Sequence, residues 1–476
     1  MQKNLYRELY PTANSGSCDI YIPFIERVYD LCNDDGRVGI ITSRQFMTTD
    51  YGETLRESIP TDCGISDIVD FTCYSPFEDI TIYTSILLGQ RQNNSTVRCI
   101  CVRSREALEQ VKHGGLESPE RGNHLTEFEL PLSSLGKDRW LVLSEEEKEA
   151  RRKISSKSDR VLGELTEIGS PLKTGRDRIV KGTIEHENND FLEISTNEFT
   201  RKVEAGAWKR LIVSEDIRRW RAEIPEVAVF FPYTQTEGEY EPISEQEFES
   251  EFTETYDALK PYKEDLLDRK DSGMTWRGHG RAWYSLARKG TPEYVDNNKI
   301  VTGAVVNAPE FCLDSSGYLI ATGAGGARVI TTSEIDEYYA LGYLNSSCVY
   351  AYFKPISPPK QNGYTSIDID VLNELPYVPL SVDEELAFEI GGRLRDSEVQ
   401  NLRSDFFGKW LTDFVDRDYQ ETTVLQHALR ESTKYLVEDF GTLEDKTVET
   451  IKKFNDEIVA HLFGLTEDDK AVLKRI

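Results

Sequence analysis

The stretch that decides the fold is VGIITSRQF, Val38 to Phe46: a run of β-branched residues entering a polar turn. It reads as a buried strand of an α/β domain, and the turn after such a strand is where these domains usually hold a ligand. Upstream, DIYIPFIERVYDLC from Asp19 places Ile20, Phe24, Ile25, Val28 and Leu31 at three- and four-residue spacings. That spacing predicts an amphipathic helix with Asp19 available as its cap. NDDG ends it, and Gly36 permits the turn into the strand. Downstream, Asp50 and Glu53 have capping-box spacing, so YGETLRESI predicts a second helix. Three further strand-like runs follow, ISDIVDF, DITIYTSILLG and TVRCICV, divided by CYSPFE and QRQNNS. Helix, strand, helix, strand, then two strands on a short connection predicts an α/β fold: half of a doubly wound sheet, ending in a hairpin. No Gly-rich loop between strand and helix precedes Val38, and no phosphate loop occurs.

The 476 residues are enough for roughly two to four domains, each with its own core. The longest apolar run, near Ile80 to Leu88, is interrupted by Thr and Tyr and is too short to cross a bilayer. No basic segment followed by an apolar one opens the chain, so a soluble, cytoplasmic protein is expected. The 56 Lys and Arg against 84 Asp and Glu give a net charge of -28, which ordinarily argues against a nucleic-acid partner. The excess is spread along the chain, as in EGEYEPISEQEFESEFTETYD. Such a spread fits a halophilic protein kept soluble in a very salty cytoplasm, where global charge says little about a local face. Cys99 and Cys101 would point the same way on one strand, and the cysteines as a set read as buried thiols of a reducing compartment. The six His residues lie far apart without an HExxH, so no metal site is expected. An Asp followed by a Glu-x-Lys triplet, the mark of one nuclease class, is absent from any strand-like context.

Against this acidic background two windows stand out. Between Asp271 and Glu293 lie Arg277, Arg281, Arg288, Lys289 and His279 with no acidic residue, interleaved with Trp276, Trp283 and Tyr284. Lys173, Arg176, Arg178 and Lys181, against Asp177 alone, form a second patch on an expected loop. Guanidinium groups hold phosphates or read guanine edges, and aromatic rings pack or stack. The plain alternative is a solvated face that its aromatics anchor to the core. Together the windows predict contact with double-stranded DNA through Lys173, Arg176, Arg178, Arg277, Arg281, Trp283, Arg288 and Lys289.

The string from DIYIPFIERV to TLRESI, then IVDF, then FEDITIYTSILL, resembles the second half of the catalytic domain in adenine-specific DNA methyltransferases of the type IIG restriction-modification class. In that family it follows an Asn-Pro-Pro-Tyr tetrad, itself preceded by an Asp-x-Ala-x-Gly-Ser-Gly cofactor loop; neither occurs here. The segments from LGELTEIGSPLKTGRDRIVKG to ALGYLNSSCVYAYFKPIS, with IDIDVLNELPYVPL after them, are similar to the family's TaqI-like target-recognition domain. TVETIKKFNDEIVAHLFGLTEDDKAVLKRI resembles its closing helices.

The resemblance implies a partial, Rossmann-like methyltransferase domain over residues 1–105 and a linker over 106–155. A mixed α/β recognition domain over 156–380 and a helical region over 381–476 complete the expected layout. It implies N6-adenine methyl transfer from S-adenosylmethionine, with no cofactor-binding residue assignable. It also implies that Phe77 presents its ring to a flipped base, with Tyr74 and Tyr83 as rivals. Lacking the loop and tetrad, the chain is expected to be an N-terminally truncated methyltransferase, inactive alone, whose missing half could come from a separate chain. The alternative is a DNA-binding specificity subunit that partners a separate catalytic chain. The target site is not legible.

Overall fold

In β1, Arg37–Ser43, burial alternates: Val38, Ile40 and Thr42 face inward, while Gly39 and Ile41 are exposed. The strand expected to be covered on both faces is therefore covered on one. The computed structural model describes all residues except 1, 15–17, 34, 78–81, 91–93, 116–123, 170–171, 272–273, 296–297, 321–325, 361–362, 396–410, 413 and 415–418. The chain divides into two units, Met1–Ser156 with Ala351–Ser366 and Gly464–Ile476, and Lys157–Tyr350 with Ile367–Phe463.

The first unit begins with helices α1 (Gln2–Leu9) and α2 (Tyr21–Leu31), followed after β1 by α3 (Glu53–Ser58). Strands β2 (Ile65–Asp70), β3 (Thr84–Gln90) and β4 (Thr96–Val102) come next. Helix α4 (Arg105–Gly114), strand β5 (Leu125–Pro131) and helix α5 (Glu145–Ser155) complete its main run. The sheet order is β1-β3-β2-β4-β5. β3 is antiparallel to both neighbours, β2 and β4 are parallel, and β5 is antiparallel to β4. The expected terminal hairpin of β3 and β4 does not form, because β2 lies between them. Two strand spacings of about 4.8 Å are within reach of the five residues joining Gln90 to Thr96. Core residues from α2, α3 and the strands meet on one face, and α4 supplies Ala107 and Leu108 to a second cluster with Val69, Ile100 and Leu125.

Three local expectations change. The cap spacing of Asp50 and Glu53 yields a 3-10 turn over Asp50–Gly52, and α3 starts at Glu53 without a side-chain cap. α2 buries Ile22, Ile25 and Tyr29, so Ile20, Phe24 and Leu31 of the anticipated apolar stripe are 62%, 62% and 69% exposed. Residues 106–155 are no linker: they supply most of α4, all of β5, and α5. Seven paired residues tie β5 to β4; of its acids, Glu129 is exposed and Glu127 is half-buried and pairs with Arg98 at 2.8 Å. The polar turn after β1 carries a structural cation. Arg44 donates to both carboxylate oxygens of Asp70, at 2.7 and 2.9 Å, joining the ends of β1 and β2. Asp70 also accepts the Thr72 N–H at 2.8 Å, which holds Thr72 at φ 49° and sets the exit of the loop that leads to Phe77. Cys99 and Cys101 are both buried in one core, and burial raises both thiols, Cys101 to about 12.

The second unit contains two six-stranded sheets. One runs in the order Leu319–Ile320, Trp208–Ile212, Val227–Phe230, Lys181–Glu187, Phe191–Ser195, Thr200–Glu204. The other runs Ile217–Arg218, Trp220–Ala222, Phe311–Asp314, Lys299–Gly303, Ala327–Thr331, Ile168–Gly169. In the latter, Lys299 and Asp314 sit opposite each other and form a 2.7 Å ion pair with exposures of 0% and 1%. Helices Glu337–Leu344, Glu421–Glu438 and Asp445–Leu462 pack in this unit, while the chain from Gly464 belongs with the first. The second unit runs from Ile367 to Phe463 across residue 381. Among the described residues no helix is long and apolar enough to cross a membrane.

Candidate functional site

The two basic windows, about a hundred residues apart in sequence, meet in the second unit. The backbones of Lys173 and Arg288 exchange hydrogen bonds of 3.0 and 2.9 Å. The clamp is Arg269, which is 1% exposed and donates to the carbonyls of Leu266 (2.7 Å), Thr174 (3.0 Å), Trp283 (2.8 Å) and Ser285 (2.9 Å). Four carbonyl dipoles stand in for a carboxylate, and burial lowers the guanidinium to about 10, so it stays charged at neutral pH. Sequence reasoning missed this residue. Nothing in LLDRKDSG distinguishes an arginine that folds inward from one that faces water.

Residues Trp276–His279 form a one-turn helix, capped where Thr275 Oγ1 accepts the Gly278 N–H and closed by Gly280 at φ 66°. Trp276 is buried between two cations, with Arg269 4.7 Å and Arg281 4.9 Å from its ring centroid. Arg281 is exposed and, among the described residues, makes no ion pair; the ring beneath it fixes its place.

The other arginines are less free than the sequence implied. Arg176 pairs with Asp265 at 3.1 Å, Arg178 with Asp265 and Glu198, and Arg277 with Glu264 at 2.5 Å. Lys289 donates to the Tyr240 carbonyl and lies 3.6 Å from Glu239. The acidic stretch before Arg269 therefore supplies counter-charges to windows that look unopposed in one dimension. The Arg277–Glu264 pair is largely exposed, at 57% and 76%, so exchange of that carboxylate for a phosphate costs little, whereas the pairs of Arg176 and Arg178 with Asp265 are half-buried.

Trp283, expected to stack on DNA, is a core residue. It is 3% exposed, packs on Phe248 and Tyr256, and donates its indole N–H to Glu245 at 2.8 Å. The hydrogen bond from Lys263, and after it that from Trp283, keeps the Glu245 carboxyl below its usual range. Of the aromatics in this window, Trp276, Trp283 and Tyr284 are all buried, and they position the chain rather than meet a ligand. Phe77 lies in the first unit, 43% exposed, in a turn where its N–H bonds to Ser75 Oγ at 3.2 Å.

The family model for an Eco57I restriction-modification methylase matches residues 1–77, ending on Phe77. The model for a TaqI-like C-terminal specificity domain matches residues 253–377, a span that holds Arg269, Arg277, Arg281 and Arg288. The chain is similar to the Type II restriction enzyme and methyltransferase RM.Eco57I of Escherichia coli, 19% identical over 74% of this chain and 35% of that protein. It is also similar to the Type II methyltransferase M.BstVI of Geobacillus stearothermophilus, 27% identical over 37% of this chain and 33% of that protein. With M.BanIII of Aneurinibacillus aneurinilyticus the identity is 21% over 83% of this chain and 71% of the relative. The chain thus spans about a third of the length of the first two. Among solved structures, the Type IIL restriction-modification enzyme MmeI, in complex with DNA, has a similar fold. Its TM-score is 0.52 at 10% identity, over 94% of this chain and 49% of that one. The chain is thus similar to restriction-modification methylases over its first sheet and to a TaqI-like specificity domain over the basic surface, with type II methyltransferases as its relatives.

Proposed function

We propose that the chain acts in adenine-specific, S-adenosylmethionine-dependent methylation of double-stranded DNA within a cytoplasmic restriction-modification system, and that it reads its site through the surface clamped by Arg269. The observation that carries this reading is the convergence on one unit of Lys173, Arg176 and Arg178 with Arg277, Arg281, Arg288 and Lys289, the last four inside the specificity match. Arg281, over the Trp276 ring, is the first candidate for a base edge. Arg176, Arg178 and Arg277 exchange carboxylates for phosphates and set the register. Phe77, exposed at the end of the methylase match, is proposed to meet the flipped base.

S-adenosylmethionine, when bound, supplies the methyl group. The residues present do not form its site: neither the cofactor loop nor the Asn-Pro-Pro-Tyr tetrad occurs in the 476 residues. β1 is an edge strand with no partner on its outer side among the described residues. Six of the fourteen exposed large apolar side chains among the described residues lie within the first 41 positions: Leu5, Leu9, Ile20, Phe24, Leu31 and Ile41. An open edge beside uncovered apolar side chains supports the reading that further strands pair there. On this proposal the cofactor half of the sheet is supplied by polypeptide other than these residues, continuous with them or separate.

The test is transfer of labelled methyl groups. The 476-residue polypeptide alone is expected to methylate no DNA, and addition of a fragment bearing the loop and tetrad is expected to yield N6-methyladenine. Methylation by the polypeptide alone, or methylcytosine from the complemented enzyme, refutes the reading.

A further inference from the structure

A cavity of about 350 Å³ lies in the first unit between α5 and the segment before it. Arg139, Lys148, Arg151 and Arg152 line it and, among the described residues, no acidic one does, in a chain of net charge -28. The sequence dictates the arrangement. Ser144 and Glu147 form a capping box that starts α5, acids fill its first turn, and Lys148, Arg151, Arg152 and Ser155 follow at helical spacing on one face.

Three of the four cations have carboxylate partners that do not line the cavity. Lys148 pairs with Glu145 at 2.7 Å, Arg152 with Glu149, and Arg139 with Asp50 at 3.7 Å, the acids being 66%, 50% and 97% exposed. Arg151 differs. It is 8% exposed, its guanidinium lies 4.4 Å from the Tyr352 ring centroid, and it makes no ion pair among the described residues. Its buried Nη1 has no hydrogen-bond partner among the described residues. A guanidinium taken out of water with a ring but no counter-charge beside it is costly, and an anion in the cavity it lines would offset that cost. Phosphate matches the planar fork of arginine with two parallel bonds, and lysine adds a point charge. Leu130, Leu135 and Trp140 on the apolar wall leave room for a non-phosphate part, and the volume lies at the lower end of the ~300–1,000 Å³ usual for small-molecule sites.

We propose that this cavity binds the phosphate group of a nucleotide, with Arg151 as the principal ligand and Lys148 and Arg152 as flanking charges. The same chemistry is carried by a free nucleotide and by a nucleotide within a DNA strand. The site rests on residues of the first unit alone and not on the recognition surface, so failure of either proposal leaves the other standing.

The test measures binding of AMP, pyrophosphate, adenosine and a short duplex to the full chain by calorimetry, for wild type, Arg151→Met and Arg152→Met. AMP or pyrophosphate is expected to bind wild type, adenosine not, and Arg151→Met to weaken binding about tenfold or more while melting no lower than wild type without ligand. Arg152→Met, at a 65% exposed position, is expected to weaken binding severalfold and keeps the test open if the first variant misfolds. Competition between AMP and duplex identifies a free nucleotide as ligand if duplex fails to displace it, and a strand phosphate if duplex alone depends on Arg151; both support the site. Equal binding of adenosine and AMP, no binding of any phosphate probe, or unchanged binding in both variants overturns it.

Discussion

Replacing Arg269 by Met keeps the volume of the side chain and removes the donor to four backbone carbonyls, those of Thr174, Leu266, Trp283 and Ser285. Hydrogen bonds to a charged group contribute about 1.5–3 kcal/mol each, so the gross loss is roughly 6–12 kcal/mol. Offsetting it, the methionine need not desolvate a charge; the drop of the guanidinium to about 10 puts that cost on the order of 3 kcal/mol. With water reaching some of the freed carbonyls, the net destabilisation comes to about 3–5 kcal/mol. Urea unfolding of the variant measures it. Hydrogen exchange at Lys173 and Arg288, whose backbones pair across the two windows, should accelerate by the same free energy. A loss under about 1 kcal/mol with unchanged protection at both amides would refute the view that one buried arginine holds the two windows together.

Three further outcomes follow from other pairs. Lys299→Met, which leaves Asp314 buried without its partner, should cost about 3–5 kcal/mol in urea unfolding, and the double replacement with a matching apolar pair should recover most of it. Burial holds the His427 imidazole below its usual value against the opposing hydrogen bond to the Ser381 backbone, with Arg430 also lowering it and Asp383 and Glu384 raising it, so the unfolded chain binds the proton first as pH falls. Stability from this group is full above about pH 6.5 and declines toward its lower folded value; denaturation midpoints from pH 7 to 5 should fall less in His427→Gln than in wild type. Glu264→Gln releases Arg277 from its exposed pair and should tighten duplex binding without sequence preference, steepening the salt dependence by about one contact in fluorescence-anisotropy titrations.

The strands of the first unit were legible because apolar runs of period two or none bounded by turn residues leave few alternatives, and β1, β2 and β4 fall where VGIITS, ISDIVD and TVRCICV put them. Which side of a helix turns inward was not. In α2 both Ile20–Phe24–Leu31 and Ile22–Ile25–Tyr29 satisfy helical spacing, and only the packing on β1 chooses the second. β5 was hidden because LTEFELP mixes acids into an edge strand, where Glu129 faces water and Glu127 is held by Arg98. The basic windows were visible as gaps in an acidic sequence. Their partners were not, because Arg178 and Asp265 stand 87 positions apart and no periodicity links them. Trp283 misled for a related reason: an aromatic between arginines signals a stacking surface and a core anchor equally, and its hydrogen bond to Glu245, 38 positions away, settles it as an anchor.

The most direct test of the recognition proposal is competition binding of randomised duplexes at high salt to wild type, Arg277→Ala and Arg281→Ala. At molar salt the exposed repulsion of a chain of charge -28 is screened within ~3 Å, leaving short-range contacts to decide preference. Wild type should select a defined sequence. Arg281→Ala should lose about 1–3 kcal/mol at one base position and relax preference there, while Arg277→Ala should weaken all duplexes alike. A wild type without preference, matched by both variants, would contradict the proposal that this surface reads DNA.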